Sequence, residues 1–322
     1  MEQNDNAYKG KTVLVTGCSG LVGKQLCSDL LAKGVHVTGY SRSEPLALIK
    51  NKDFKWKKGG ILDKDSLQDA ASEASILFHL AAQPTVYHSI ENPQADYQDN
   101  AIGTLNVLEA AKENKARVVF ASTITLYEKR RDPTPQKEHE IVPSVPYAIS
   151  KYSAELFCST YTKLFNIQTT ILRFGYIFGI EAKRGPVYDA FAQLSKGPKI
   201  TIYTSPDDSL DMIYVKDVSS ALMQAGLSGK QGPFNIGSGD PIKVGDIIKK
   251  IAGLLDIKDP EITPSTLSHI KKEGMYHVMD TSKAKEELNW QPEYTFDAAI
   301  AEMHEELVNK RPRHRIDLQK RA

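Results

Sequence analysis

The sequence predicts an α/β fold in which a doubly wound parallel sheet is followed by a smaller α/β lobe. Short β-branched runs alternate with longer amphipathic stretches through the first half of the chain. These runs are apolar without alternation, which is typical of strands covered by helices on both faces. Beyond about residue 180, Gly-Pro pairs and short mixed segments replace the regular pattern. We therefore expect a first domain over residues 1–180 and a second over 181–322, partly interleaved with the first.

The individual elements follow from the same patterns in chain order. Apolar β-branched runs predict strands at 12–17, 35–40, 75–81, 116–122 and 167–174. Amphipathic stretches predict helices at 21–33, 65–73, 94–114, 147–165, 188–196, 215–227, 243–255, 281–288 and 296–309. Strand–helix alternation of this kind favours right-handed crossovers. The charged, Pro-containing segment 128–140 is not expected to pack, and we predict a mobile rim beside the functional site.

Composition and charge narrow the possible partners and location. The 41 basic and 40 acidic residues nearly cancel, so no global field favours nucleic acid or an anionic membrane. The basic segment at 311–322 is expected to be a solvated tail. No secretory signal is apparent, and no apolar run approaches the ~20 residues that cross a bilayer. Cys18, Cys27 and Cys158 show neither paired spacing nor a histidine cluster, so we expect a cytoplasmic protein without a metal site.

A glycine triplet links the first predicted strand to the first helix. Gly17, Gly20 and Gly23 are spaced three apart in TGCSGLVG. Gly17 would allow a tight turn, Gly20 would let the backbone approach a pyrophosphate, and Gly23 would let helix and strand pack closely. The helix start offers free N–H groups to the phosphates. With a strand before it and a helix after it, the triplet predicts a Rossmann-type dinucleotide site.

The end of the second strand bears on which coenzyme is used. Sites that select NAD commonly place an acidic residue there to hydrogen-bond the adenosine ribose. This chain has Ser41, followed at once by Arg42. Serine can donate a hydrogen bond to a 2′-phosphate and arginine can bind it bidentately. We therefore expect NADP to be preferred over NAD.

A tyrosine and a lysine stand four residues apart at the start of the fourth helix. Tyr147 and Lys151 follow Pro146, which suits a first helical turn. An ammonium beside the phenol would lower the tyrosine pKa and make Tyr147 a proton donor and acceptor. Ser122 and Thr123 end the preceding strand, at the edge where α/β active sites lie. We expect the Thr123 hydroxyl to orient the reacting oxygen of the substrate.

Taken in order, these segments resemble the extended short-chain dehydrogenase/reductase family, in its nucleotide-sugar epimerase/dehydratase group. The resemblance covers nearly the whole chain. It is carried by TGCSGLVG, FHLAAQ, NAIGTLNVLEAAK, STITLY, YAISK, LRFGYIFG, DMIYVKDVSSAL, PFNIGSG and DTSKAKEELNWQP. By similarity Thr123, Tyr147 and Lys151 are catalytic, and Lys151 also holds the nicotinamide ribose. The resemblance further implies a homodimer, in which helices near 94–114 and 147–165 form a four-helix bundle.

Binding residues are carried over in the same way. The resemblance implies that the coenzyme is held by Gly17, Ser19, Gly20, Leu21, Val22, Gly23, Ser41, Arg42, Ile61, Leu80, Ala81, Ala82, Asn100, Ser122, Tyr147, Lys151 and Phe174. It implies that the substrate is held by Gln83, Thr123, Tyr176, Arg184 and Lys272. The expected partner is a nucleotide sugar.

The chain also departs from the family pattern. Ile124 and Thr125 stand where the family's 4,6-dehydratases carry an acidic pair, which argues against that reaction. Tyr176, Leu210 and Lys272 replace an asparagine and two arginines that usually hold the nucleotide diphosphate. Lys183, Arg184, Lys271 and Lys272 could supply replacement charge. Gly60 replaces the usual adenine-side aspartate, so Asp63 is expected to cap the next helix.

Three functions remain open from the sequence. The first is an NAD(P)-dependent epimerase or 4-keto reductase of a nucleotide-activated sugar, with Tyr147 as acid and base. The second is an NADPH-dependent reductase of a non-sugar carbonyl, which the lost diphosphate contacts would permit. The third is a non-catalytic dinucleotide sensor, against which the Thr123, Tyr147 and Lys151 set speaks.

Overall fold

A computed structural model describes residues 7–265 and 274–309 of the chain. The strands are β1 Thr12–Thr16, β2 His36–Ser41, β3 Phe54–Lys58, β4 Ile76–His79, β5 Arg117–Thr123, β6 Thr169–Phe174, β7 Tyr176–Phe178, β8 Lys199–Ile202, β9 Ser209–Leu210, β10 Met212–Tyr214, β11 Gly232–Ile236, β12 Ile242–Lys243, β13 Glu261–Pro264 and β14 Tyr276–His277. The α-helices are α1 Leu21–Ala32, α2 Lys64–Ala71, α3 Val86–Glu91, α4 Pro93–Tyr97, α5 Gly103–Asn114, α6 Pro146–Phe165, α7 Pro186–Leu194, α8 Val215–Ser228, α9 Val244–Leu254, α10 Ser282–Leu288 and α11 Phe296–Asn309.

The central sheet is parallel and has seven strands in the order β11-β6-β5-β4-β1-β2-β3. The order in which strands are added reverses between β1 and β4: β2 and β3 lie on one side of β1, and β4, β5 and β6 lie on the other. Ligands of doubly wound folds bind at such a switch point. The predicted Rossmann-type fold is confirmed. The last strand of the sheet, β11, comes from beyond residue 180. The domain boundary itself stays a prediction.

Apolar side chains on the two faces of the sheet form separate cores. One core packs α1 and α8 against the sheet through residues such as Leu26, Val218 and Phe234. The other packs α2, α5 and α6 through residues such as Leu67, Val107 and Ala154. Helices on both faces explain why the strands read as unbroken apolar runs. A third core holds α7, α9 and α11 together in the smaller lobe, whose strands pair in three small sheets.

Two strands of the central sheet were missed by sequence reasoning. β3 reads FKWKK, and as the edge strand it buries only Phe54 fully. Its lysines hide the apolar signal, although charged edges are a common protection against strand pairing between molecules. β11 begins with Gly232 and Pro233, which normally indicate a turn. Proline is tolerated there because β11 is the opposite edge strand.

The single helix predicted at 94–114 is wrong. The chain instead forms α3, α4, a π-helical turn at Gln98–Ile102 and then α5. Pro93 begins α4, and the π turn places Asn100 inside the protein. Such π turns occur frequently at functional sites. The break therefore positions side chains that a straight helix would place differently.

The prediction that segment 128–140 does not pack is also wrong. Arg130 and Tyr276 exchange two backbone hydrogen bonds of 2.8 and 2.7 Å. Gln136 is buried, and its backbone bonds to Val278 and Asp280. The segment lies across the smaller lobe because β14 and the residues after it offer unpaired backbone groups. Its charges misled the sequence reading, since several of them are paired within the protein, Lys129 with Asp208 and Arg130 with Glu140.

Among the described residues, no helix combines the length and the apolar character needed to cross a bilayer.

Candidate active site

The glycine turn between β1 and α1 has the geometry that a pyrophosphate needs. Gly17 adopts a φ of 71°, and a Cβ there would lie 2.9 Å from the backbone nitrogen of Ala81. A Cβ on Gly23 would lie 2.2 Å from the carbonyl oxygen of Gly17, so no larger residue fits. Helix α1 starts after Gly20 without a side-chain cap, which leaves its first N–H groups facing the turn. These residues fit a dinucleotide.

The end of β4 is tied to this turn by a buried histidine. Thr16 Oγ1 accepts hydrogen bonds of 3.1 Å from the backbone of Leu80 and of Ala81. Burial lowers the pKa of His79 to about 3, so the ring is neutral. Thr104 donates to the Asn100 carbonyl, so it accepts from His79 Nε2, and Nδ1 accepts from Thr16. This chain of bonds holds segment 80–82 beside the glycine turn.

The end of β2 is occupied by polar contacts that the sequence did not predict. Ser41 Oγ donates a hydrogen bond to the Ser43 carbonyl at 2.7 Å. The same Ser41 oxygen accepts a hydrogen bond from the Trp56 indole at 3.2 Å. The Cys18 thiol lies 3.1 Å from the same oxygen, and burial raises its pKa. Ser41 thus gives its proton to its own loop. Arg42 is exposed and stands beside it.

Tyr147 and Lys151 lie one turn apart near the start of α6, as predicted, with Pro146 at its first position. Burial raises the pKa of Tyr147 to about 12, against opposing effects of a hydrogen bond with Thr123 and the charge of Arg184. The predicted lowering of this pKa by Lys151 is therefore wrong for this structure. Burial also lowers the pKa of Lys151 to about 8, although Glu155 opposes the shift. The Lys151 ammonium lies 4.2 Å from the ring centre of Phe120.

Thr123 ends β5 and faces the same space. Its Oγ1 accepts from the Thr125 backbone at 3.1 Å and lies 2.9 Å from the Thr125 hydroxyl. The Thr123 hydroxyl is close enough to Tyr147 to oppose the rise of its pKa, so the two side chains lie near each other at the carboxyl edge of the sheet. This is the pairing expected of a proton donor and the group that orients its target.

A buried carboxylate that sequence reasoning missed joins three segments around this site. Asp96 accepts from Gln83 Nε2 at 2.9 Å, from Asn100 Nδ2 at 3.0 Å and from the Ser150 hydroxyl at 2.5 Å. Asn100 also accepts from the Gln83 backbone. Asp96 is fully buried, and its partners lie after β4, in the π turn and on α6. No local pattern marks such a residue.

A second buried network lies behind Lys151. Glu155 forms two hydrogen bonds with Arg173, of 2.9 and 2.5 Å, and accepts from the Ser122 hydroxyl at 2.6 Å. Ser122 was expected to contact the coenzyme, but its hydroxyl is directed to Glu155. Arg173 also donates to the Tyr127 hydroxyl at 2.9 Å and to the Glu138 carbonyl. The pair therefore anchors segment 128–140 to the sheet.

The predicted substrate side contains a tyrosine–histidine pair. Tyr176 Oη lies 2.9 Å from His277 Nδ1, and His277 Nε2 lies 3.1 Å from the carbonyls of Ile124 and Tyr127. Carbonyls only accept, so Nε2 carries the proton and the Tyr176 hydroxyl donates to Nδ1. Burial lowers the pKa of His277 to about 4 and raises that of Tyr176. Tyr176 is thus held rigidly next to Ile124.

The remaining predicted residues fall into three groups. Arg184 is close enough to Tyr147 for its charge to oppose the rise of the Tyr147 pKa, and its role in substrate binding stays a prediction. Phe174 and Ile61 are buried, and Ile61 packs against Gly103, where a Cβ would lie 2.6 Å from it. Lys271 and Lys272 lie outside the described residues. Beyond the site, Asp63 caps α2 as predicted, accepting from the Ser66 backbone at 3.1 Å.

Comparison with known proteins agrees with this geometry. The model of the NAD dependent epimerase/dehydratase family matches residues 13–237. The chain belongs to that family. It is therefore an enzyme of the short-chain dehydrogenase/reductase type that depends on a nicotinamide dinucleotide. The interpretation as a non-catalytic sensor is excluded.

Relatives within the family are similar over their whole length. A UDP-glucose 4-epimerase of Mycolicibacterium smegmatis is 29% identical over 312 residues, which cover 92% of this chain and 98% of that protein. A UDP-glucuronate 4-epimerase of Thermodesulfobacterium geofontis is 27% identical, covering 89% and 93%. The structure of a Thermotoga maritima UDP-glucose 4-epimerase with UDP-glucose superposes with a TM-score of 0.83 at 26% identity, covering 93% and 99%. A Thermus thermophilus UDP-glucose 4-epimerase complex with NAD gives 0.81 at 26%, covering 91% and 98%.

Proposed function

We propose that this enzyme is a nucleotide-sugar epimerase that inverts a ring carbon through transient oxidation and reduction, with Tyr147 as its acid and base. The observation that carries the proposal is the grouping of Thr123, Tyr147 and Lys151 in a fold whose β1–α1 glycine turn fits a dinucleotide. The named 4-epimerases that match nearly the whole chain support the same reaction class. Ile124 and Thr125, in place of an acidic pair, argue against 4,6-dehydration.

Different residues would bind the coenzyme, orient the sugar and transfer the proton. The coenzyme, when bound, accepts and returns a hydride. Gly17, Gly20 and the α1 start hold its pyrophosphate, and Lys151 holds the nicotinamide ribose by similarity. Thr123 orients the reacting hydroxyl of the sugar. Oxidation requires Tyr147 as the phenolate, which takes the proton of that hydroxyl, and reduction uses the resulting phenol, which returns it.

The sugar nucleotide is expected to contact a distinct set of side chains. We propose that Gln83, Thr123, Tyr176, Arg184 and Lys272 bind it. Asp96 holds Gln83, and His277 holds Tyr176, so two of these residues are already fixed in place. Arg184 supplies a positive charge near Tyr147. Preorganised contacts of this kind reduce the entropy that binding costs.

A 4-keto reductase of a nucleotide sugar is the second candidate. Burial holds the pKa of Tyr147 at about 12, so the phenol is protonated at neutral pH and ready to donate to a carbonyl oxygen. A preference for NADP(H), argued below, would suit an exchangeable reductant. The two reactions differ in whether coenzyme is consumed.

The test is to incubate the enzyme with UDP-glucose, UDP-glucuronate and UDP-N-acetylglucosamine, and with a nucleotide 4-keto sugar plus NADPH. We expect NMR to show the 4-epimer of at least one nucleotide sugar, without net change in coenzyme absorbance. Oxidation of NADPH in step with loss of the keto sugar would instead establish the reductase. Failure to bind or convert any nucleotide sugar, with turnover of simple carbonyls, would contradict both.

We also propose that NADP(H) binds in preference to NAD(H). The supporting observation is the end of β2, which carries no acidic residue and is followed by the exposed Arg42. An arginine can bind a 2′-phosphate bidentately, whereas an acid would repel it.

A homodimer is proposed through α5 and α6. Ile149 and Leu156 lie seven residues apart on one face of α6 and are 50% and 51% exposed. Apolar side chains at this spacing on the exposed face of a long helix are typical of a helix-bundle interface. Pairing of α5 and α6 with their copies would form four helices.

A further inference from the structure

Strand β3 places a lysine beside the predicted 2′-phosphate position. Ser41 ends β2, Lys58 ends β3, and the two are register partners in the parallel sheet. Partners in neighbouring strands project their side chains from the same face, because side chains alternate along each strand with a period of two. The Gly59 backbone donates to the Ser41 carbonyl at 3.2 Å, which keeps the two strands paired to their last residues.

Contacts further down the strands show which face this is. Trp56 lies two residues before Lys58, on the same face, and its indole reaches Ser41 Oγ. Cys18, from the glycine turn, contacts the same oxygen. Phe54, two residues earlier again, packs with α1 in the core on that side. Lys58 therefore emerges on the face that carries the glycine turn, at the level where the strands end.

The charges at this edge are unbalanced. Arg42 and Lys58 are exposed, and within 7–265 and 274–309 neither side chain has a hydrogen-bond or ion-pair partner. Lys57, by contrast, projects from the opposite face and forms an ion pair with Asp69 of α2. Glycines 59 and 60 follow Lys58, so the next residues add no acid. Two unpaired cations at adjacent strand ends repel each other, and a dianion between them would relieve that repulsion.

We propose that Lys58 and Arg42 together form a subsite for the adenosine 2′-phosphate of NADP(H). The inference rests on the coenzyme preference proposed above and adds to it the residue that the unpredicted strand supplies. Lys58 acts as a point charge, while Arg42 binds through its planar fork. Ser41 contributes less than its position in the sequence suggests, since its proton is donated to Ser43.

The experiment is calorimetric titration of the full chain, freed of copurified nucleotide, with NADP⁺ and NAD⁺. The redox-inactive fragments 2′-phospho-ADP-ribose and ADP-ribose are titrated in parallel. In Lys58→Ala we expect NADP⁺ and the phosphorylated fragment to bind about 10-fold more weakly, and NAD⁺ and ADP-ribose to bind as before. The loss should shrink as salt is raised, because the contact is solvent-exposed.

Two controls remove the same charge from the same strand. Lys55→Ala and Lys57→Ala alter residues that project from the other face, so they should leave the preference unchanged. Lys58→Glu should weaken NADP⁺ further than Lys58→Ala does.

The outcomes separate the two proposals. If the unaltered enzyme binds NAD⁺ as tightly as NADP⁺, both the preference and the subsite are overturned. If it prefers NADP⁺ and only Arg42→Ala abolishes the preference, the preference stands and the role of Lys58 is overturned. A loss as large in Lys55→Ala as in Lys58→Ala would also overturn that role, because it would reflect net charge alone.

Discussion

At the scale of single residues, burial determines the chemistry of the Tyr147 and Lys151 pair. Their spacing puts both on one helix face, but the ionisation of each depends on how much water the fold removes. Burial raises the pKa of Tyr147 to about 12 and lowers that of Lys151 to about 8. In this structure the tyrosine is an acid at neutral pH, and the lysine is the more readily titrated group.

Tyr147→Phe should retain coenzyme binding and lose most turnover. The phenyl ring keeps the packing, but without a hydroxyl it transfers no proton, an effect typically worth ~10²–10⁴-fold. Steady-state rates with the nucleotide sugar found to react provide the measurement. Tyr152→Phe, on the same helix, is the control and should be fully active. A Tyr147→Phe enzyme with more than about a tenth of the normal rate would show that another group moves the proton.

Lys151→Met should stabilise the fold at pH 7, and the gain should shrink as pH rises from about 8 towards 10.5. The folded enzyme holds the Lys151 proton less tightly than the unfolded chain does, because the pKa is lowered from 10.5 to about 8 on folding. Between these values the unfolded chain binds more protons, so unaltered enzyme gains stability with rising pH. At roughly 1.4 kcal/mol per pKa unit, the difference at pH 7 is on the order of 3 kcal/mol.

Urea unfolding of both proteins at pH 7 and pH 10 measures this difference. Lys163→Met, at an exposed position of the same helix, is the control and should show no such dependence. A Lys151→Met gain that is equal at both pH values would mean that packing, and not the buried charge, is responsible.

At the scale of elements, the close approach of α1 to β1 determines whether the dinucleotide site can form. The spacing of the glycines suggested separate roles, and the structure separates them by distance. A Cβ on Gly23 would meet the Gly17 carbonyl at 2.2 Å, whereas one on Gly20 would meet it at 3.3 Å. Gly23 is thus required by packing, whereas the role of Gly20 in giving the ligand access to the backbone stays a prediction.

Gly23→Ala should destabilise the enzyme by about 3 kcal/mol or more and weaken coenzyme binding. The new methyl group would collide with backbone that cannot move aside without displacing the turn. Gly253→Ala is the matched control, since that helical glycine of α9 has open space around its Cβ position. It should stabilise the fold by about 0.5–1 kcal/mol. Thermal unfolding and coenzyme titration measure both; equal effects would refute the packing role of Gly23.

At the scale of the whole molecule, long-range polar networks connect the two lobes through segment 128–140. Arg173 on β6 holds Glu155 of α6, Tyr127 and the Glu138 carbonyl together. Asn235 of β11 accepts from the Tyr127 hydroxyl and donates to the Gln136 carbonyl. The segment predicted to be a loose rim is therefore a structural link between the sheet and the smaller lobe.

Leu156→Lys should convert the proposed dimer to a monomer at micromolar concentration. A charge at the middle of an apolar helix face would be buried without a partner on association. Light scattering after size-exclusion chromatography gives the mass directly. Leu46→Lys changes a similarly exposed leucine away from α5 and α6, and should leave the mass unchanged. A dimer that survives Leu156→Lys would place the interface elsewhere.

The sequence by itself determined the features whose residues lie close together along the chain. The glycine triplet, the Tyr147–Lys151 spacing and the cap at Asp63 each span only a few residues, so local geometry is enough to predict them. The central strands could be predicted for a related reason, because burial on both faces of the sheet gives each strand an unbroken apolar run. These features were enough to predict the fold, the glycine turn and the Tyr147–Lys151 pair.

Only the tertiary structure decided how distant residues pair. Asp96 with Gln83, Glu155 with Arg173, and Ser41 with Lys58 meet because strands and helices remote in sequence are brought into register. β3 was hidden by its lysines, so its partner at the end of β2 could not be inferred. The pKa of Tyr147 likewise depends on water excluded by several elements at once, and no short stretch of sequence contains that quantity.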